Sequence, residues 1–314
     1  MKNLVILTGP TAVGKTSLSI NLAKAINGEI ISADSMQVYK HMDIGTAKIT
    51  KEEMAGVPHH LIDVIEPSED FHVVKFKEMV LSAMEDIYSR GKTPIICGGT
   101  GFYIQAILYD IQFSDQEIDQ EYRDSLEKYA DENGNEALHK KLLEIDPESA
   151  NSIPAANRKR VIRALEYYHL SNELFSVHNK RESQRKSPYN FAYFVLNDDR
   201  TLLYNRINKR VDIMMEQGLL EEIKKLQAMG MKRGMTSMDG IGYKEMLSYL
   251  DGEISLDDAI ELIKKNSRNY AKRQLTWFRR EKEVIWLDKT ILTDESQLLE
   301  YIFSCLKEKG ITKC

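Results

Sequence analysis

Cysteine is scarce: the chain has three in 314 residues (Cys97, Cys305 and Cys314) and no Cys-x-x-Cys pair. That spacing excludes a disulfide framework and a zinc site, and it fits a reducing compartment. Long apolar runs are also lacking. The first, Leu4 to Leu7, is four residues long, and none approaches the ~18 needed to cross a bilayer. Neither a signal peptide nor a membrane span is therefore expected, and the expected location is the cytoplasm. There is no internal repeat and no low-complexity segment. What remains, 42% hydrophobic and 29% charged residues, is the composition of an ordinary globular protein, long enough for one large domain or two modest ones.

The formal net charge of −5 conceals two basic blocks. Residues 158–186 hold eight Lys or Arg against three Glu, a net of +5, and residues 264–282 hold eight against one, a net of +7. Either alone could be a solvated helix face. Two together on an acidic background point to a polyanion larger than a nucleotide.

The most informative stretch is a short buried strand, Leu4 to Thr8, running into Gly9-Pro10-Thr11-Ala12-Val13-Gly14-Lys15-Thr16. This is Gly-x-x-x-x-Gly-Lys-Thr, whose glycines let successive N–H groups curl into an anion nest. Lys15 reaches toward the outer phosphate, and the Thr16 hydroxyl can hold Mg²⁺. An amphipathic helix over Lys15 to Ile26 adds its positive end to the same anion. A strand before and a helix after separate this stretch from an ordinary glycine turn, so a di- or triphosphate is expected here.

A second buried strand, Glu29 to Ala33, places Asp34 at its carboxyl end, where ligands bind in parallel α/β sheets. Pro58 to Asp63 reads as another strand entry. Its pair His59-His60 points to opposite faces, which favours structural roles over metal ligation. A helix over Val73 to Arg90 precedes the strand Thr93 to Cys97. Gly98-Gly-Thr-Gly101 then opens a helix through Leu108; it is either a tight turn or part of the cleft, with Thr100 as candidate. This alternation predicts an α/β fold, a phosphate-loop NTPase-like parallel sheet flanked by helices.

From 114 the strand rhythm stops, and an inserted all-helical domain is expected over 114–187 within a catalytic core of 1–113 and 188–314. Its helices read as Tyr122 to Ala130, Asn135 to Glu144 and Asn157 to Leu170. The last has Lys159, Arg160 and Arg163 within a turn of one another and Val161, Leu165 and Tyr168 as its buried stripe. His178 to Ser187 reads as a basic, turn-like tail. The core resumes with the strand Phe191 to Leu196 and a helix over Arg200 to Gln217 carrying Arg206 and Arg210 on one face. Next come a glycine-rich turn in Gly234 to Lys244 and a long helix over Leu256 to Glu283 with Ile260, Ile263, Tyr270 and Trp277 as its periodic residues. The last strand is Val284 to Leu287.

Phosphate-loop kinases usually place a second acidic residue at the end of a buried strand. Here the strand ending at Cys97 offers only Gly98-Gly99-Thr100, an arrangement suited to holding a diphosphate as a leaving group. The chain resembles the bacterial tRNA dimethylallyltransferase (tRNA isopentenyltransferase) family. The matching segments, in order, are the phosphate loop, Asp34-Ser-Met-Gln37 with Asp43-Ile-Gly-Thr-Ala-Lys48, Pro58-His-His-Leu-Ile-Asp63, Gly98-Gly-Thr-Gly-Phe-Tyr-Ile104, Arg163-Ala-Leu-Glu166 and Arg273-Gln-Leu-Thr-Trp-Phe-Arg279. It lacks the cysteine/histidine set of the zinc finger carried by eukaryotic relatives.

The resemblance implies transfer of a dimethylallyl group from dimethylallyl diphosphate to N6 of adenosine 37, next to the anticodon of tRNAs reading codons that begin with U. It implies Mg²⁺ as cofactor, an anticodon stem-loop as partner, no membrane, and a monomer. Gly9 to Thr16 would hold the diphosphate, while Lys15 with Arg206 or Arg210 would stabilise its developing charge. Asp34 would be the base, with Mg²⁺ ligation as its alternative. Ser35, Met36 and Gln37 would frame the flipped adenine, Thr100 would act at diphosphate or tRNA, and Arg123 with Lys159, Arg160, Val161, Ile162 and Arg163 would grip the RNA. An adenylate isopentenyltransferase on free nucleotide, or a small-molecule phosphate-loop kinase, are the alternatives.

Overall fold

The computed structural model describes residues 1–113 and 119–312 and divides the chain into two compact units, Met1–Leu108 with Pro188–Cys314, and Tyr109–Ser187. The expected start of the insertion at 114 and Cys314 lie outside the described residues.

The larger unit begins β1 (Lys2–Thr8), α1 (Lys15–Ala25), β2 (Gly28–Ala33), β3 (His59–His60), α2 (Val73–Ser89), β4 (Thr93–Gly98) and α3 (Gly101–Leu108). The smaller unit holds α4 (Gln120–Asn133), α5 (Asn135–Ile145), α6 (Pro147–Ser152), α7 (Arg158–Ser171) and α8 (Phe175–Ser183). The chain then returns through β5 (Tyr189–Asn197), α9 (Arg200–Glu216), α10 (Leu219–Ala228), a 3₁₀ turn (Thr236–Asp239), α11 (Tyr243–Leu250), α12 (Leu256–Phe278), β6 (Val284–Asp288) and α13 (Glu295–Glu308). Among the described residues no helix is long and apolar enough to cross a membrane.

All six strands are parallel, in the order β3-β2-β4-β1-β5-β6. Strands covered on both faces need unbroken apolar runs rather than alternation. Leu4 to Leu7 of β1 are wholly buried, and every residue of β2 is buried. On one face Leu18 and Leu22 of α1 and Leu298, Ile302 and Leu306 of α13 join Val5, Leu7, Ile95 and Phe194 in a single core. On β2 and β4 packs α2. The ladder aligns Thr8 with Gly98 and Ala33 with Gly98, so β1, β2 and β4 end level. Thr8 Oγ1 donates to Gly98 O (2.6 Å) and Thr100 N to Ala33 O (3.2 Å), locking the three exits together.

The smaller unit has its own core of Leu126, Leu138, Leu142, Ile153, Val161 and Leu165. Buried Asp146 caps α6 at Ser149 N (3.0 Å) and accepts from Ser176 N in α8 (2.8 Å), fixing one helix to the other.

Several expectations need correction. The strand at Pro58 to Asp63 is only two residues long, at the sheet edge. The basic tail after His178 is largely helix, α8, with Ser176 and Glu182 buried where no apolar signal advertises a packed face. In α7 the buried aromatic is Tyr167, not Tyr168, and Ile162 and Ala164 join the stripe. The long helix stops at Phe278, and its buried face is Ala259, Ile263, Ala271, Gln274 and Phe278, one step away from the expected Ile260, Tyr270 and Trp277. Small and polar residues carry that face, so hydrophobic periodicity misassigns it.

Candidate functional site

The level ends of β1, β2 and β4 bring the phosphate loop, Asp34 and Thr100 to one edge of the sheet. In the loop Gly9, Ala12 and Gly14 all take positive φ (148°, 61° and 101°), which turns the intervening amides into a nest. A side chain at Gly9 would collide with the backbone of β5, 2.4 Å from Leu196 O. Pro10 and Val13 are buried, Thr11 is half-buried, and Thr16 is exposed in the first turn of α1. Lys15 Nζ folds over the loop, donating to Gly9 O (3.0 Å) and Pro10 O (2.9 Å). Burial lowers its ammonium to about 8, with the nearby Arg210 charge acting the same way and Cys97 and Asp34 opposing. The adjacent Cys97 thiol is pushed up by its own burial, which removes it as a nucleophile.

Asp34 Oδ1 accepts from Met36 N (2.9 Å) and Gln37 N (3.3 Å), an Asx turn that fixes the carboxylate while Oδ2 takes no hydrogen bond from the described residues. Half-buried Ser35 lies within this turn. Gln37 Nε2 donates to Thr46 O (3.2 Å) and Ala47 O (3.3 Å), and the Met36 side chain lies against Gly240. The 43–47 loop is itself held by Glu222 of α10. Its Oε2 accepts from Asp43 N and Ile44 N (2.7 Å each), and its Oε1 accepts from Gly45 N (3.1 Å) and Tyr243 Oη (2.7 Å).

The two arginines of α9 part company. Partial desolvation lowers the Arg210 guanidinium, with Asp34 and then Glu53 acting against it, so Arg210 shares one electrostatic neighbourhood with Lys15 and Asp34. Arg206 is engaged at Asp198 Oδ2 (2.5 Å) just beyond β5. The same Asp198 faces Lys289 Nζ (3.8 Å), which lies 3.3 Å from Val13 O and so supports the phosphate loop from behind.

Sequence reasoning gives no individual role to Tyr270 or Gln274 of α12. Buried Gln274 accepts from Thr11 N at Oε1 (2.9 Å) and donates from Nε2 to Gly99 O (3.0 Å), bridging the phosphate loop and the β4 turn. The Tyr270 hydroxyl interacts with Thr100 and is raised to about 12 by burial and the Asp34 charge. Gln274 lies inside the quoted Arg273 to Arg279 segment, the only sequence signal for it. His60 Nε2 meets Glu29 Oε2 (2.8 Å) and His59 Nδ1 meets Val57 O (2.8 Å), so each ring makes a structural contact at the sheet edge.

In the smaller unit Lys159 and Arg160 are exposed and Arg163 is half-buried. The Val161 and Ile162 side chains are buried in the helical core, so of this segment it is the Lys159, Arg160 and Arg163 side chains that are open to solvent. Arg123 is committed to Glu166 through Nε and Nη2, a bidentate pair with a buried carboxylate, which leaves Nη1 and the second N–H of Nη2 for another partner.

Residues 37–281 match the family described as IPP transferase. The tRNA dimethylallyltransferase of Lachnoclostridium phytofermentans is 55% identical over 313 residues, all of both chains. A full-length tRNA isopentenylpyrophosphate transferase from Bacillus halodurans, known from a crystal structure, shares 46% identity over 99% of this chain and 98% of its own, with a TM-score of 0.74. A eukaryotic dimethylallyltransferase acting on tRNA superposes with a TM-score of 0.82 at 30% identity, over 99% of this chain and 80% of that one. A match across most of the sequence, joined to relatives aligned along the whole of it, means that the chain belongs to the IPP transferase family.

Proposed function

We propose that this protein is a tRNA dimethylallyltransferase, moving the dimethylallyl group of dimethylallyl diphosphate onto N6 of adenosine 37. The observation that carries this reading is the convergence of Lys15, Arg210 and Asp34 at the ends of β1 and β2, with no acidic residue at the end of β4. The N6 lone pair attacks C1 of the dimethylallyl group. As the C1–O bond breaks, its electron pair leaves with the diphosphate, and the N6 proton passes to Asp34.

The Gly9–Thr16 amides, Lys15 and Arg210 stabilise the charge growing on the leaving group. Thr16 offers a hard oxygen at the first turn of α1, and no group of three or more His, Cys, Asp or Glu among the described residues forms a protein-only cage. The Thr16 hydroxyl would hold Mg²⁺ there, and the ion would supply further neutralisation of the departing charge. Ser35, Met36 and Gln37 frame the adenine, which must leave its stack to react. Lys159, Arg160 and Arg163 grip the RNA backbone.

The test is a nucleoside digest, read by mass spectrometry, after incubation of an anticodon stem-loop RNA with dimethylallyl diphosphate and Mg²⁺ and no ATP. Prenylated adenosine in the RNA supports the reading. Equal prenylation of AMP, with normal RNA binding by the Lys159→Ala, Arg160→Ala, Arg163→Ala triple variant, would replace it with a free-nucleotide enzyme.

A further inference from the structure

The turn that frames the adenine is flanked by two segments whose backbone does not hold its shape unaided. Ala47, Leu61 and Asp63 occupy the left-handed region, with φ of 48°, 63° and 54°. Side chains rarely adopt that conformation, and it persists only where surrounding contacts over-determine it. Both segments touch the turn directly. Ala47 O accepts from Gln37 Nε2 (3.3 Å), and Asp63 N donates to Gln37 O (3.2 Å). Val64 N donates to Val38 O and Lys40 N to Ile65 O (2.9 Å each), so 61–65 runs alongside 37–40.

Lys48 stands where these segments meet, with its side chain only 4% exposed. Its ammonium has three N–H groups and three acceptors: Tyr39 O (2.7 Å), Asp43 Oδ1 (2.7 Å) and Asp63 Oδ1 (2.5 Å). Each acceptor belongs to a different piece of chain. Tyr39 continues the Asp34–Gln37 turn, Asp43 opens the 43–47 loop, and Asp63 lies in the segment after β3. Three diverging oxygens suit a compact ammonium, whereas the planar fork of an arginine matches the two oxygens of one carboxylate. A buried charge offsets its desolvation only with its partners well placed, so this arrangement tolerates little displacement.

The loop is therefore held by charges of both signs. Glu222 grips the amides of Asp43, Ile44 and Gly45, and Lys48 grips the oxygens around them. The donor half of the site is held separately, by Gln274 at Thr11 N and Lys289 at Val13 O.

We propose that Lys48 is a positioning residue for the acceptor base. By pinning Tyr39, Asp43 and Asp63 together it fixes the register of Met36 and Gln37, and so where the extruded adenine comes to rest against Asp34. The inference rests on the proposed function, and it gives a role in the RNA step to a side chain that acts only through others.

The test uses a stem-loop RNA carrying 2-aminopurine at position 37, whose emission is quenched in the stack and recovers on extrusion, beside prenylation kinetics on the adenosine RNA. Lys48→Met removes the ammonium and keeps the length of the side chain. Asp43 and Asp63 are exposed enough to stay hydrated without it, so the variant should fold. It should lose most of the emission gain and lower kcat/KM for RNA by about tenfold to a hundredfold, the cost of a misplaced reacting group. RNA affinity by fluorescence anisotropy should change by less than about threefold, because phosphate contacts dominate it. KM for dimethylallyl diphosphate should stay put. Two further variants probe the same contact from its other side. Asp63→Gly accepts the left-handed backbone but offers Lys48 no oxygen, whereas Asp63→Asn accepts it and keeps one. The glycine variant should follow Lys48→Met, and the asparagine variant should restore most of both signals.

A wild-type emission gain and kcat/KM in Lys48→Met overturn the proposal. So does a loss matched by a rise in KM for dimethylallyl diphosphate, the mark of a general loss of structure. If circular dichroism shows Lys48→Met unfolded, the Asp63 pair decides: a loss confined to the glycine variant supports the proposal, and equal behaviour of the two overturns it. Failure of wild type to prenylate RNA removes the functional reading and this proposal with it, whereas a normal wild type beside an indifferent Lys48→Met removes the proposal alone.

Discussion

Replacing Glu222 by Gln should destabilise the larger unit by about 2–5 kcal/mol without changing side-chain volume. The Glu222 carboxylate is 8% exposed and accepts four hydrogen bonds, two at each oxygen. An amide keeps one acceptor oxygen and turns an NH₂ group toward the donors that faced the other. Two donors lose their partner, and each stripped buried donor costs ~1–3 kcal/mol. For a chain of this size that corresponds to a fall in Tm of about 5–10 °C. Urea unfolding followed by circular dichroism gives the free energy directly. Tyr243→Phe serves as the graded control, since it removes one bond to a charged acceptor and should cost about 1.5–3 kcal/mol. Kinetics should separate as well. The Glu222-held loop carries the Thr46 and Ala47 carbonyls that fix Gln37, so KM for RNA should rise while KM for dimethylallyl diphosphate does not. A Glu222→Gln protein within ~0.5 kcal/mol of wild type would refute the clamp, because surface-like substitutions sit in that range.

Three further outcomes are expected. Lys15 is lowered to about 8, so it is fully charged below that pH and loses its proton above it. In a pH series, kcat/KM for dimethylallyl diphosphate should therefore fall above about pH 8 by up to tenfold per unit, and a flat profile to pH 10 would contradict Lys15 as the charged donor. Asp34→Asn should lower kcat by roughly 10²–10⁴ with donor affinity little changed, measured by single-turnover prenylation and equilibrium binding; a collapse of donor affinity instead would make Asp34 a metal or binding residue. Glu29 is 1% exposed, and hydrogen bonds from Arg90, then Lys92 and His60, hold its carboxyl well below the usual range despite burial. Its contribution is thus present above the unfolded carboxyl range and lost as pH falls below ~4.5. Glu29→Ala should cost about 3–5 kcal/mol at pH 7, and much less in acid, by urea denaturation at both pH values.

How far the sequence carries depends on the range of the interaction. The phosphate loop and Asp34 are legible because their geometry is local: a fixed glycine spacing and a strand end determine where the amides and the carboxylate go. The parallel sheet follows from uninterrupted runs such as Leu4 to Leu7. Gln274 is different, since its two hydrogen bonds reach Thr11 and Gly99, far away in sequence, and nothing within α12 announces them. Trp277 and Tyr270 read as core residues by periodicity, but Ala271 and Gln274 take that face. Arg123 and Arg206 show the converse. A basic side chain that looks available in sequence becomes an ion-pair partner once Glu166 and Asp198 are brought to it. The helices α10 and α13 are amphipathic yet unassigned from sequence, so the Glu222 clamp on α10 stays out of view until the fold is known.

The register of β1 with β5 has a consequence during synthesis. Lys2 pairs with Tyr189 and Thr8 with Val195, so the strand made first waits for one of its two neighbours until the whole helical insertion has been translated. About 90 residues separate the end of β4 from the start of β5, roughly 5–20 s at ordinary elongation rates. Throughout that interval the nascent chain carries an open edge of Leu4-Val5-Ile6-Leu7, apolar and rich in unpaired amides, which is the kind of surface that templates association between chains. Stalling ribosomes within the codons for 109–187 should therefore increase the aggregated fraction, whereas stalling late enough for β5 to have left the ribosome should not.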